Sequence, residues 1–230
     1  MSTLRTVFGA LGIAAGFMLF AFPVFNPIMR IVVNKDTGQL SGMPYYVTLL
    51  SCLLSLWYAT PFVSQNNTAL LVLNGIGAVF EATYVLAFLL YSPRNHRNKI
   101  YGLLFGIIII SAGDVLISYF ALHGQTRKIV AGIITGTVSI LMYGSPLTVV
   151  RTVVNEKSVE SMPLSLSLFS FLCATCWFVY GILGSDYIVA IPNGIGCLLG
   201  IVQLSLYAFY FHGRNMQTSD EASVELGQGK

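Results

Sequence analysis

The sequence predicts an all-α membrane protein: seven transmembrane helices arranged as two parallel three-helix bundles joined by one linker helix (3+1+3), with the N-terminus outside and the C-terminus inside. Three observations carry that prediction. The 230 residues are 55% hydrophobic and only 9% charged, against about 25% charged in soluble domains. Apolar stretches of about 20 residues, the length that crosses a bilayer, recur along the whole chain. Asn74-Gly75-Ile76-Gly77 returns as Asn193-Gly194-Ile195-Gly196, 119 positions later.

The apolar stretches are residues 7–29, 43–63, 69–91, 101–121, 129–150, 163–184 and 188–211. The first begins at once and lacks a small-residue cleavage site, so it reads as a helix and not as a removed signal. The loops are too short for a soluble domain. Residues 212–230, with Asp220, Glu221 and Glu225, read as a disordered polar tail. Basic residues set the orientation. Arg30, Lys35, Arg94, Arg97, Lys99, Arg151, Lys157, Arg214 and Lys230 fall on one side, while only Arg5, Arg127 and Lys128 fall on the other. The richer side is cytosolic. The sequon Asn66-Asn67-Thr68 is then external, but so close to two helices that a glycan is not expected there.

These charges form no patch, and nucleic acid is excluded as a partner. Cys52, Cys173, Cys176 and Cys197 all lie in apolar stretches. Cys173 and Cys176 lack a second pair or a polar loop, so they read as small packing residues, with no metal or cofactor implied.

The repeat extends beyond its signature. Met43-Pro44 matches Met162-Pro163 at the same spacing, Trp57-Tyr58 matches Trp177-Phe178 at 120, and Val32-Val33-Asn34 matches Val153-Val154-Asn155 at 121. Residues 5–91 and 129–211 are therefore two copies of one three-helix unit, with 92–128 as the linker. Three crossings reverse the chain and the linker restores it, so the copies are parallel and related by an axis along the membrane normal. A path down that axis is transporter geometry.

An Asn among hydrocarbon side chains costs a few kcal/mol unless something hydrogen-bonds it. Asn74 and Asn193 each lie five residues from the outer end of their stretch, and Trp57 and Trp177 six and seven from theirs. At 1.5 Å per residue all four reach a common depth of roughly 8–10 Å. Singly, each residue suits ordinary helix packing or the interfacial aromatic belt; duplication at one level makes them a site. Amides donate to and accept from hydroxyl groups, and indole faces cover C–H surfaces. With no charge in the set, the matching ligand is a small neutral sugar. Nearer the cytosol, Pro44, Pro146, Pro163 and either Pro23 or Pro27 form a ring of four, since proline kinks a helix interior and builds a hinged gate. Glu81, on the Asn74 face, and Asp114, on the linker, are intramembrane carboxylates. Glu81 has no counterpart, since Gly200 stands there, and both read as protonated or hydrogen-bonded structural groups. Gln203 reads as a hydrogen bond between helices.

Gln39-Leu40-Ser41-Gly42-Met43-Pro44-Tyr45, Leu56-Trp57-Tyr58, Cys176-Trp177-Phe178-Val179-Tyr180-Gly181 and Ala190-Ile191-Pro192-Asn193-Gly194-Ile195-Gly196 together resemble the SWEET family of sugar facilitators in its plant, two-repeat form, over residues 5–213. The parallel repeat is already known for that family. The resemblance implies bidirectional uniport of mono- or disaccharides by alternating access. It places Ser55 with Asn74, Asn193, Trp57 and Trp177 at the sugar site, and Tyr58 and Asp186 at an outer gate. It also implies homo-oligomers. In that family a bulky residue at the place of Met142 goes with monosaccharides, so the resemblance implies glucose first and sucrose second. Between Pro23 and Arg30 the chain has about one residue more than the family pattern. Counting from the N-terminus favours Pro23 as the fourth gate proline, the 119 spacing favours Pro27, and Pro23 is chosen. The plasma membrane is expected ahead of the vacuolar membrane.

Two rivals are weaker. A seven-helix receptor would not repeat internally, and a retinal protein needs a lysine that residues 188–211 lack. A proton-coupled amino-acid carrier of the PQ-loop type could use Glu81 or Asp114, but neither half holds a Pro-Gln pair. No nucleophile–base pair or metal cluster suggests an enzyme.

Overall fold

The computed structural model describes the backbone of residues 2–160 and 162–228. Among these the chain is entirely helical: α1 (Thr3–Pro23), α2 (Met29–Asn34), α3 (Met43–Tyr58), α4 (Thr68–Tyr91), α5 (Arg94–Leu116), α6 (Gly124–Leu141), α7 (Gly144–Glu156), α8 (Leu164–Leu183) and α9 (Tyr187–Gln228). Two π-helical turns, Val24–Ile28 and Ile117–Ala121, follow α1 and α5. Arg127 caps the second, donating to the carbonyls of Ser118, Tyr119 and Leu122 at 2.8–3.1 Å and so satisfying groups that a helix end leaves orphaned.

The surface is inverted relative to a soluble protein. Phe25 is 81% exposed and Val79 69%, while Arg5, Asn67, Glu81, Asp114 and Asp186 are buried. Only a hydrocarbon solvent makes that distribution favourable. Six helical stretches are long and apolar enough to cross a membrane, which makes this an integral multi-pass protein. The stretch expected over 43–63 falls short of that length, because α3 ends at Tyr58. Pro61 disfavours helical geometry at the residue before it, and residues 59–63 form turns instead. At the other end α9 runs to Gln228, past Phe211, where the sequence placed the start of a polar tail. No proline interrupts that stretch. Lys230 lies outside the described residues.

Contacts between helices are duplicated. α4 packs on α1 and α3, and α9 packs on α6 and α8. Across the halves α1 packs on α8, and α6 packs on α3. Among the described residues α5 packs chiefly on α3.

Glycine contacts give the register of the repeat. A Cβ at Gly9 would strike Ala69, and one at Gly132 would strike Ile188; likewise Gly77 meets Phe20 and Gly196 meets Tyr143. The third helices thus correspond at a spacing of 119, but the first helices at 123. Further on, Lys35 (φ 53°) and Lys157 (φ 51°) end α2 and α7 in the same left-handed conformation, and Ile31 and Val153 are both wholly buried. The spacing there is 122, which corrects by one residue the match of Val32-Val33-Asn34. One residue is therefore extra in the first half between Pro23 and Lys35. The π turn at Val24–Ile28 takes it up, since a π turn holds one residue more than an α turn.

Candidate functional site

A cavity of about 670 Å³ lies between the halves, within the range of small-molecule sites. Its wall repeats. From α3 and α8 come Pro44 and Pro163, Val47 and Leu166, Thr48 and Ser167, Ser51 and Ser170, and Ser55 and Ala174, every pair spaced by 119. From α4 and α9 come Leu73 and Pro192, then Asn74 and Asn193; from the first helices come Gly16 and Ser139, Leu19 and Met142, and Phe20 and Tyr143, at 123.

The two asparagines have the same geometry. Asn74 Nδ2 donates to the Leu70 carbonyl at 2.9 Å, and Asn193 Nδ2 donates to the Val189 carbonyl at 2.7 Å. Each amide is locked to its own helix four residues back. The oxygen and the second N–H of each remain for a ligand.

The indoles do not pair. Trp177 is on the wall, 3% exposed, packed edge-on against Tyr180 with ring centroids 5.1 Å apart, and its Nε1 is buried without a partner among the described residues. A Cβ at Gly12 would sit 2.9 Å from this ring, so α1 holds it flush. Trp57 is off the wall. Its Nε1 donates to Ser118 Oγ at 2.7 Å, and its ring lies 6.4 Å from that of Tyr119, both on the linker. Matching Trp57 to Trp177 needs a spacing of 120, whereas the wall residues of α3 and α8 hold 119 throughout. One residue rotates a helical side chain by about 100°, and the true counterpart of Trp177 is Tyr58.

Tyr58 stands about one turn beyond Ser55, the last wall residue of α3, and there it meets Asp186. Tyr58 Oη donates to Asp186 Oδ1 at 2.7 Å, with both residues almost completely buried. Around them lies a network that the sequence did not suggest. Arg5 NH2 donates to Asn67 Oδ1 at 2.7 Å, and Asn67 Nδ2 donates to Asp186 Oδ2 at 2.8 Å and to Ser64 Oγ at 2.7 Å. One amide therefore stands between a guanidinium and a carboxylate. Arg5 also donates to the carbonyls of Asn66 and Tyr180 and lies 4.2 Å over the Tyr180 ring. A lone arginine at the head of an apolar stretch was the available signal, but its partners are 61 to 175 residues away.

The other end is open. Pro44 and Pro163 are exposed and Pro146 is half-buried, all three on the cavity wall. Pro23 is half-buried and off the wall. The π turn nevertheless makes Pro23 the counterpart of Pro146, because each stands three residues after the paired Phe20 and Tyr143. Pro27 lies inside the turn itself.

Glu81 and Gln203, taken from sequence as structural groups, both line the cavity. Glu81 Oε2 is buried with no hydrogen bond among the described residues. Asp114 lies elsewhere, on a small cleft between α5 and α6 bounded by Ile110, Ile117, Val130 and Ile134, and neither of its carboxyl oxygens has a partner there. Among the described residues no cluster of His, Cys, Asp and Glu could hold a metal.

A family model described as "Sugar efflux transporter for intercellular exchange" matches the chain twice, over residues 6–96 and 129–215. The chain is similar to bidirectional sugar transporter SWEET1 of Arabidopsis thaliana, 49% identical over 96% of this chain and 89% of that one. It is likewise 49% identical to SWEET1a of Oryza sativa subsp. japonica, over 90% of this chain and 75% of the relative. A solved eukaryotic SWEET transporter superposes with a TM-score of 0.88 at 37% identity, covering 91% of this chain and 97% of its own. A wall built twice from one set of positions thus finds its match in a family model that fits both halves, and the chain belongs to the SWEET family of sugar transporters, which are not enzymes.

Proposed function

We propose that the protein is a facilitative carrier that moves neutral sugars in both directions by alternating access, glucose first and sucrose second. The observation that carries this reading is the identical locking of Asn74 and Asn193 on the wall of a cavity shared by the halves. Each amide offers an acceptor and a donor to ring hydroxyls, Trp177 offers a free N–H and a flat apolar face, and Ser55 adds a hydroxyl. Met142 and its counterpart Leu19 fill the sides with flexible apolar groups, which suits one ring ahead of two. The relatives' name, bidirectional sugar transporter, supports the same substrate class.

With seven crossings, α3 being the short one, the Lys and Arg bias of the loops puts the N-terminus and the Tyr58–Asp186 end outside. The proline end then faces the cytosol, and the conformation is inward-open. Closing Pro44, Pro146, Pro163 and Pro23 while parting Tyr58 from Asp186 would expose the same wall to the other side. The carrier works as a homo-oligomer in the plasma membrane.

Radiolabelled glucose and sucrose uptake into proteoliposomes, with and without a pH gradient, tests the reading. Equilibration without accumulation is expected, and Asn74→Ala or Asn193→Ala should abolish most of it. Gradient-dependent accumulation would replace uniport by proton coupling. Full glucose uptake by folded asparagine variants would remove the site.

A further inference from the structure

A cavity with two-fold walls offers a sugar two equivalent orientations. A pyranose has no such symmetry, so something must break the tie. Most wall pairs differ little: Thr48 against Ser167, or Leu19 against Met142. The wall also holds Trp177 and Gln203 without their counterparts Tyr58 and Tyr84, and one pair differs in charge. Glu81 brings a carboxyl-bearing side chain to the wall, and its counterpart is Gly200. No side chain fits at Gly200, because a Cβ there would lie 2.8 Å from Phe171 Cβ. Glu81 is also the only carboxylate on the wall among the described residues, where no Lys, Arg or His appears.

Its position fits a ligand already held at Asn74. Glu81 follows Asn74 by seven residues, two turns on the same face of α4 and about 10.5 Å along the axis. Helical side chains lean toward the N-terminus, and since Asn74 does so too, bonding Leu70, the amide and the carboxyl group keep a separation of that order. That gap suits one pyranose with a hydrogen bond at each end. The residue is 4% exposed and its Oε2 has no hydrogen-bond partner among the described residues, an expensive state for a polar atom facing no water.

We infer that Glu81 is a sugar contact that helps to set the orientation of the substrate: it accepts a hydroxyl of the ring held by Asn74 and so, together with the unpaired Trp177, favours one of the two poses that the repeat would otherwise allow. The inference rests on the sugar-carrier reading. Its ligand is a neutral hexose with hydroxyls at both ends of the ring.

The test is a cycle between residue and ligand. Purified wild-type protein, Glu81→Ala and Glu81→Gln are titrated with glucose and with glucose lacking each hydroxyl in turn. For wild type, removing the hydroxyl that Glu81 accepts should weaken binding about tenfold. In Glu81→Ala that same removal should cost less than about twofold, with the penalties at the other hydroxyls unchanged. Glu81→Gln, which keeps the shape and a neutral acceptor, should show a reduced penalty at the same position, and it decides the matter if the alanine variant does not fold. A purely structural role would scale every sugar alike. Parallel patterns in wild type and Glu81→Gln would therefore overturn the inference while leaving the carrier intact. Asn193→Ala serves as the control, since it should flatten the penalty at a different hydroxyl. Wild-type protein that binds no hexose would overturn the carrier reading and this one together.

Discussion

Asn67→Ala should open the Asp186 end of the cavity. The amide makes two hydrogen bonds to charged partners, Arg5 at 2.7 Å and Asp186 at 2.8 Å, and one to Ser64 at 2.7 Å, in a residue only 2% exposed. A hydrogen bond to a charged group contributes about 1.5–3 kcal/mol. Losing both removes about 3 kcal/mol from the closed end even at the lower limit. In the open form water hydrates the same groups, so the loss falls on the closed form alone. That shifts the closed-to-open ratio by a factor of about 100 or more. Spin labels at exposed Gln65 and at Tyr187, 64% exposed, flank this end. In a background without the four native cysteines, their distance distribution by pulsed electron resonance should gain a longer population in Asn67→Ala. Asn67→Asp should behave differently, keeping the Arg5 partner while setting a like charge beside Asp186. Identical distributions in wild type and Asn67→Ala would refute the idea that this amide holds the end shut.

Two further outcomes follow from the unequal tryptophans and the tight first helix. Trp57→Phe removes the bond to Ser118 and should lower the melting temperature with sugar affinity within about twofold of wild type, whereas Trp177→Phe should weaken sugar binding with little change in melting, because its N–H has no protein partner to lose; calorimetry and ligand titration together read both. Gly12→Ala places a Cβ 2.9 Å from the Trp177 ring and should cost about 1–3 kcal/mol of stability along with several-fold in sugar affinity. Gly102→Ala is its control, since nothing lies within 4 Å there, and it should leave both unchanged.

How far each feature could be read from sequence follows from the range of the interaction behind it. Membrane character and the places of the helices come from local hydropathy, and six of the seven stretches are helices of spanning length as read. The exception, α3, is shortened by Pro61, a local signal that an apolar window averages away. The asparagine pair was legible because its motif is identical in both halves and its locking bond is local, four residues back in each helix. Trp57 was misplaced for a rotational reason. Sequence similarity tolerates a one-residue slip, but a helix turns about 100° per residue, and the slip carried the indole from the cavity to the linker. Pro23 could be preferred over Pro27 but not secured, because a π turn hides an extra residue without any gap in hydrophobic pattern.

What the sequence determined by itself is the solvent this protein folds in, the repeat of its helical unit, and the pair of amides that the repeat brings onto one cavity wall. Those are properties of composition and periodicity, and they survive without coordinates. Only the tertiary structure decided that Arg5, Asn67 and Asp186 form one network, that a single indole faces the cavity, and that Glu81 stands on its wall without a counterpart. Each of these depends on side chains that meet across the halves, and on the side of a helix that a residue faces once both neighbours are packed. Hydropathy does not encode either, because it records how much a segment prefers lipid to water and not which way it turns within it.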